Sequence, residues 1–309
     1  MHKPVMVQEM IDVLQPKDGC VYIDATFGGG GYSKAIKAVA PKAKIIAFDR
    51  DPMIQKTQTV EKYADIFHCD TFSHIAEYVN TRVDGVVFDF GVSSFQIDEA
   101  TRGFSFQKEG PLDMRMSQEG LSAADVVNTF SEKELADIIY YYGDETRSYR
   151  VADAIVKNRP FSTTLQLANV VAKVVPKGKI HPATKTFQAL RIFVNNELEE
   201  IKKGAEGALS VLKDGGKLIA ITFHGLEDRA LKEATKDLKE KAKLFPSKTE
   251  IRENVRARSA KLRWFEKMSQ GKRPSWRAGH SVSEGGVAIQ KDIMDYRDAS
   301  RLVMTEDES

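Results

Sequence analysis

An acid that leads into a run of glycines, with a second acid further on, sets the chemistry open to this sequence. Asp24-Ala25-Thr26-Phe27 runs directly into Gly28-Gly29-Gly30-Gly31. Glycines let a backbone come close to a ligand and tolerate positive φ. The spacing is not that of the G-x-G-x-x-G turn that seats a pyrophosphate on a helix end, and a carboxylate as near as Asp24 would repel one. The same carboxylate could attract the ammonium of a methionine moiety. Asp49 follows 25 residues later, where a carboxylate can accept hydrogen bonds from both hydroxyls of an adenosine ribose; its alternative use is to cap the next helix. Phe72, in Cys69-Asp70-Thr71-Phe72, could lie against an adenine or fill a core. Acid, glycines, second acid and aromatic together favour S-adenosylmethionine over a nicotinamide dinucleotide.

A third acid heads Asp89-Phe90-Gly91-Val92-Ser93-Ser94-Phe95-Gln96. Ligands of parallel α/β sheets bind at the carboxyl ends of strands, so these polar groups should meet a methyl donor. An electrophilic methyl needs a nucleophile held in line with it. Asp89 could hold an exocyclic amine and take its departing proton, or merely cap the next turn. His224, in Phe223-His224-Gly225-Leu226-Glu227, is a weaker catalytic candidate, as a base or substrate contact, against an equal case for a structural histidine. Methylation at pyrimidine C5 needs a thiolate, and neither Cys20 nor Cys69 is placed beside Asp89, which leaves direct transfer to nitrogen or oxygen. His68, Cys69 and His74 form no recognised zinc set, so no metal is expected.

The elements that must position these groups alternate. Val21–Asp24, 44–49, 66–68 and 84–89 read as strands, separated by helices over 33–39 and 53–63. Near-continuously apolar strands between helices argue for an α/β fold with a parallel sheet covered on both faces. From about 121 to 180 the pattern turns helical; Ser131-Glu132-Lys133-Glu134 has the form of a capping box, with Leu135, Ile138, Ile139 and Tyr142 following at helical spacing. One long helix is expected over 186–212, ended by Asp214-Gly215-Gly216, after which 217–223 resumes the strand pattern. The expected organisation is a main domain over 1–120 and 183–267, a helical substrate-binding insertion over 121–182, and a poorly structured tail over 268–309.

Bulk properties exclude little. With 42% apolar and 29% charged residues and a net charge of +2, the composition is globular and the overall field uninformative. No run approaches the roughly 20 apolar residues of a membrane span, and the opening residues lack a signal-peptide pattern. Two cysteines offer no disulfide framework, and a cytoplasmic protein is expected. Charge is concentrated between Lys248 and Arg277, where ten basic residues face three acids with Trp264, Phe265 and Trp276 interleaved. Cations beside stacking aromatics suit single-stranded RNA; the plainer reading is a solvated basic face.

At this point the sequence resembles a known family, the bacterial small-subunit (16S) ribosomal RNA cytosine-N4-methyltransferases, or MraW/RsmH family. The resemblance is carried by 2–6, Asp24 to Gly28, Phe48-Asp49-Arg50-Asp51, Asp89 to Ser94, Arg102 to Phe106, Gly110 to Met116, 181–184, Thr186 to Arg191, Asn195-Asn196-Glu197-Leu198 and Arg256 to Arg263. It implies a class I (Rossmann-like) methyltransferase sheet with an inserted helical domain. It also implies S-adenosylmethionine-dependent N4-methylation of a cytidine near the decoding site, with 16S rRNA or the small ribosomal subunit as partner and a homodimer as one option. Carried over by motif, cofactor contacts fall on Gly30, Gly31, Tyr32, Asp49, Phe72, Asp89 and Gln96. Substrate contacts fall on Asp113, Arg115, Arg256, Arg258, Lys261 and Arg263. Three positions depart from the family pattern: Tyr32 for a usual His, Phe95 for a usual Pro and Gly225 for a usual Ser. These keep open a catalytically weak assembly factor, beside methylation of DNA or another RNA position.

Overall fold

Strands apolar on both faces demand cover on both, and the computed structural model, which describes residues 4–268, supplies it. Seven strands form one sheet: β1 Val21–Asp24, β2 Lys44–Phe48, β3 Ile66–His68, β4 Val83–Asp89, β5 Leu212–Thr222, β6 Glu240–Leu244 and β7 Lys261–Glu266. Their order is β3-β2-β1-β4-β5-β7-β6. The first five are parallel, whereas β7 runs antiparallel to both β5 and β6. The parallel sheet expected from sequence is therefore mixed. Part of the basic run is the strand β7, hidden from pattern reading because Lys261 and Arg263 interrupt its apolar residues.

The chain builds outward from β1 to β3, then returns to the other side of β1 as β4. That reversal opens a crevice beyond the carboxyl ends of β1 and β4, where open α/β sheets bind ligands. Register sets the depth of each side chain there: Asp24 lies opposite Ala47 and Val87, and Asp89 opposite Ile221.

Two buried layers sandwich the sheet. Ile23, Phe48, Val86, Phe88 and Ala220 pack against helix Glu197–Val211 on one face. Tyr22, Ile45, Val87 and Ile219 pack against helices Val7–Leu14 and Gly31–Val39 on the other. A separate core joins Leu112 and Met114 to helices Ala123–Thr129, Glu132–Gly143, Ser148–Lys157, Thr164–Val174 and Thr184–Asn195. Ser131 closes its capping box with Glu134, each side chain accepting from the other residue's backbone N–H.

Two helices differ from their sequence reading. The long helix breaks at Asn196, whose φ of 53° is left-handed, a conformation asparagine tolerates better than most residues. Helical periodicity runs through the break because both arms bury the same kind of face. The stretch 53–63 is two short helices, Pro52–Gln55 and Gln58–Tyr63, separated at Thr57 in extended backbone. Asp214-Gly215-Gly216, expected to end a helix, lies within β5, where the register against β4 shifts and Gly215 takes a φ of 77°, as in glycine-containing bulges. The expected tail over 269–309 lies outside the described residues.

Candidate active site

The crevice holds a cavity of about 460 Å³, within the range that binds small ligands. Its floor begins at Gly28, whose φ of +50° turns its N–H onto Asp49 Oδ2 at 2.7 Å. Asp49 Oδ1 accepts from the Asp51 N–H at 2.9 Å. Burial pushes the Asp49 carboxyl up to about 6, against those two donated bonds. Asp49 stands at the wall with acceptor capacity remaining, as a ribose site requires.

Phe72 also lines the wall, and its ring rests edge-on against Phe88 with centroids 5.4 Å apart. It is at once part of the core and a face toward the cavity. Gly204, within helix Glu197–Val211, makes room for it: an added Cβ would overlap the Phe72 ring. Gly31 plays the same part opposite, since a Cβ there would overlap Pro4. The segment Pro4-Val5-Met6 crosses this end of the cavity, and the Met6 N–H donates to Glu250 Oε1 at 2.7 Å. Gly30 is not at the wall; its φ of +70° starts helix Gly31–Val39, and a Cβ there would overlap the Phe27 ring.

Asp24 does not reach the cavity. Its side chain turns under helix Gly31–Val39, where Oδ2 accepts from the Ser33 hydroxyl at 2.6 Å and the Ser33 N–H at 3.2 Å. It is 0% exposed, and burial raises its carboxyl to about 6. The reading of Asp24 as an ammonium ligand is corrected accordingly: the residue anchors the glycine turn.

Asp89 does stand at the wall. The Tyr32 hydroxyl lies 3.0 Å from Asp89 Oδ2, while Oδ1 is shielded from solvent and has no hydrogen-bond partner among the described residues. Burial pushes the Asp89 carboxyl up to about 7; charge on Asp24 and Glu227 adds to the rise, and hydrogen bonding by Tyr32 opposes it. Gln96 touches the cavity but is committed elsewhere. Its carbonyl accepts from the Ser93 N–H at 3.0 Å, and its amide donates to Asp51 Oδ2 at 2.9 Å. It braces the wall through Asp51.

Three wall residues had no role assigned from sequence: Arg191, Glu197 and Glu227. Arg191 donates twice to Glu197, at 2.8 and 2.8 Å, and its Nη2 lies 3.7 Å from Glu227 Oε1. Burial would raise Glu227, but His224, Arg191 and the Phe223 N–H outweigh it and hold the carboxylate below its usual range. The motifs Thr186 to Arg191 and Asn195 to Leu198 contained two of these residues, and the opposite charges flanking Asn195-Asn196 were the available signal. Glu197, His224 and Glu227 could between them ligate a metal; Arg191, paired to one carboxylate and beside the other, supplies the positive charge instead. His224 is not at the wall. Its Nδ1 accepts from the Glu227 N–H and caps helix Gly225–Ala234, and its Nε2 lies 2.9 Å from Glu227 Oε1. A catalytic role for His224 is therefore replaced by a structural one. At Gly225 an added Cβ would meet nothing within 4 Å, so space does not explain the departure from Ser.

The substrate candidates separate. Arg256 is at the wall, bonded to Ser94 Oγ and to Asp98 at 2.7 Å, beside Phe95, which is 47% exposed. Arg258 is exposed and Lys261 half-buried. Arg115 is clasped by Asp113 at 2.6 Å and donates to the Gly120 carbonyl, away from the cavity wall. Arg263 is 4% exposed and held between Asp228 and Glu240. It cannot reach a phosphate, and its assignment as an RNA contact is corrected: in β7 its side chain points into the protein.

The family model for the MraW methylase family matches residues 1–268. The chain belongs to that family. It is 46% identical to the ribosomal RNA small subunit methyltransferase H of Anaplasma phagocytophilum (strain HZ) over 296 residues, covering 86% of this chain and 98% of that protein. With the namesake from Bradyrhizobium diazoefficiens it shares 46% over 325 residues, covering 92% and 98%. Among solved structures, it is similar to an rRNA methylase from Streptococcus thermophilus at a TM-score of 0.43 and 12% identity, covering 87% of this chain and 99% of that one. The enzyme is an S-adenosylmethionine-dependent methyltransferase with a Rossmann-like class I sheet, and its cavity fits the cofactor. Asp49 is available to ribose hydroxyls, Phe72 offers an apolar face, and Gly28, Gly29 and Gly31 line the cavity without side chains.

Proposed function

We propose that this enzyme methylates N4 of a cytidine in small-subunit (16S) ribosomal RNA near the decoding site. The observation that carries the reading is the Asp89 carboxyl, which stands on the cavity wall and which burial pushes up to about 7; a base that titrates near the working pH suits removal of a proton from an exocyclic amine. S-adenosylmethionine supplies an electrophilic methyl group when bound. Asp49 and Phe72 hold its adenosine, with Gly30, Gly31 and Tyr32 forming the turn beside it and Gln96 bracing the wall.

The N4 lone pair is delocalised into the ring, so attack requires the amine to rehybridise. Asp89 favours this by accepting one N4–H. Once the amine has received the methyl that bound S-adenosylmethionine would supply, its N4 proton passes to the Asp89 carboxylate, leaving a neutral methylated amine and a protonated acid. Arg256 and the exposed Phe95 stand where a flipped base enters, and Arg258 and Lys261 supply phosphate contacts. The helical insertion over 121–182, with a core separate from the sheet's, helps to hold the RNA together with Asp113 and Arg115. Among the described residues no helix is long and apolar enough to cross a membrane; a cytoplasmic enzyme is the reading that suits an RNA substrate of this kind.

The test is nucleoside analysis. Small-subunit particles and naked rRNA are incubated with the protein and labelled methyl donor, digested, and resolved by mass spectrometry. Label in N4-methylcytidine is the expected result. Label in a ribose-methylated nucleoside would reject the reaction proposed, and transfer to DNA alone would reject the substrate.

A further inference from the structure

Three oxygens lie together at the wall behind the reacting edge: the Val5 carbonyl, the Tyr32 hydroxyl and Asp89 Oδ2. Tyr32 Oη is 2.7 Å from the Val5 oxygen and 3.0 Å from Asp89 Oδ2, and Tyr32 is 3% exposed. A carbonyl can only accept, and a phenol carries one proton. Filling both contacts takes two protons, of which Tyr32 provides one.

The lengths say where that proton goes. A hydroxyl donating to an ionised carboxylate closes to about 2.5–2.7 Å, shorter than the Asp89 contact. The Val5 contact has the ordinary length of a hydroxyl donating to a neutral oxygen, about 2.7–2.8 Å. We propose that Tyr32 is a positioning residue for Asp89: it donates to the Val5 carbonyl and, whenever Asp89 is protonated, accepts that proton at Oδ2, so that the neutral acid is held by a bond the carboxylate lacks. The inference rests on the reading of Asp89 as acceptor of the cytosine amine proton, and adds what stands behind that group.

The surroundings act in the same direction. Asp24 on β1 and Glu227 beyond β5 both face Asp89 with negative charge. Burial first, then Asp89, and after it Asp24 and Glu250, the last from helix Lys248–Glu253, raise the Tyr32 pKa well above its ordinary value and hold the phenol neutral. Arg191, Glu197, Arg256, Arg50, Asp49 and Asp70 are the other charged residues of the wall. Hydrogen bonding by Tyr32 opposes the rise in Asp89 only if the phenol donates to it; an accepting phenol adds to the rise. A base is most effective when it titrates near the working pH; burial raises Asp89 toward it, and an accepting Tyr32 adds to that rise.

The sign of one substitution tests the proposal. In ligand-free protein with ¹³C-labelled aspartate, the Asp89 resonance is assigned by its loss in Asp89→Asn, and its titration is compared between the natural protein and Tyr32→Phe. The expected result is a midpoint lowered by about one pH unit, because the neutral acid loses its acceptor. A midpoint that rises or stays put would show that Tyr32 donates to the carboxylate, or does not act on it, and overturns the proposal. Should Tyr32→Phe fail to fold, pH-difference infrared spectra of the natural protein carrying ring-labelled tyrosine serve instead. A tyrosine C–O band that moves with the Asp89 titration supports the bond; a tyrosine spectrum indifferent to it overturns it. The kcat/KM profile separates the two readings. A lowered Asp89 midpoint with an unmoved rate profile keeps the Tyr32–Asp89 bond and removes Asp89 as acceptor of the substrate proton.

Discussion

Arg102 Nη1 lies 2.6 Å from Asp51 Oδ2, with Asp51 at 0% exposure and Arg102 at 7%. Arg102 Nη2 also donates to the Arg115 and Met116 carbonyls, at 2.9 and 2.9 Å. The pair thus ties the turn that carries Asp49 to the segment entering the helical core. Removing one partner of a buried pair leaves the other charge unpaired, at about 3–5 kcal/mol. Arg102→Ala should lose stability of that order in urea unfolding; a loss below about 1 kcal/mol, as for exposed pairs, would mean that the pair contributes no more than a surface contact.

Cofactor affinity should depend on the charge of Asp49. Burial raises its carboxyl to about 6, so the ionised acceptor dominates above that pH and is lost below it. Affinity for S-adenosylhomocysteine, measured by calorimetry, should fall as pH drops through 6. Asp49→Asn should bind about tenfold or more weakly at pH 8, one charge-assisted hydrogen bond contributing about 1.5–3 kcal/mol, and should show no step near pH 6. A step that survives the substitution belongs to another group.

Asp89→Asn should lower turnover by about 10²–10⁴-fold, the usual contribution of a positioned base, with little change in RNA affinity. Because the Asp89 carboxyl is raised to about 7 in the free protein, kcat/KM of the natural enzyme should climb as pH rises through 7 while the variant stays flat. Equal turnover in the variant would take Asp89 out of the chemistry.

Gly204 offers a test at a distance from any polar group. Alanine normally stabilises a helix interior by about 1 kcal/mol relative to glycine. Here the added methyl would overlap the Phe72 ring. Gly204→Ala should therefore weaken S-adenosylhomocysteine binding several-fold and gain no stability. A gain in melting temperature with unchanged affinity would show that Phe72 shifts freely and does not shape the pocket.

The basic segment should divide by residue. Arg263 is buried between two carboxylates, so Arg263→Gln should reduce stability. Arg258 is exposed, and Arg258→Gln should flatten the salt dependence of RNA binding by about one counterion. A salt slope altered equally by Arg263→Gln in folded protein would contradict the geometry.

These divisions show what the sequence could and could not convey. Asp49, Phe72 and Asp89 were legible because each sits at or just beyond the end of an apolar strand, and strand ends in a parallel sheet share one side. Asp24 was misjudged for the same reason: its position was right, but which way its side chain turned depends on packing under the glycine helix. Arg191, Glu197 and Glu227 come from three helices, Thr184–Asn195, Glu197–Val211 and Gly225–Ala234; the elbow at Asn196 turns the first two toward each other and the third arrives from beyond β5, so no single motif joins their charges. Charge density between Lys248 and Arg277 could not separate Arg263 from Arg258, because that depends on strand alternation in β7. The elbow at Asn196 escaped because one residue in left-handed backbone leaves hydrophobic periodicity almost intact.

The bond from the Met6 N–H to Glu250 spans 244 residues of sequence, and it lies beside the wall where Pro4 and Val5 meet the glycine turn. During synthesis, residues near the start must therefore wait for a helix that emerges near the close of the described fold before this corner can shut. The five parallel strands and the helical core precede residue 250 in the chain, whereas β7 and Arg256 of the wall follow it. A product cut short before residue 250 would therefore lack the strand that joins β6 to β5 and the arginine at the cavity.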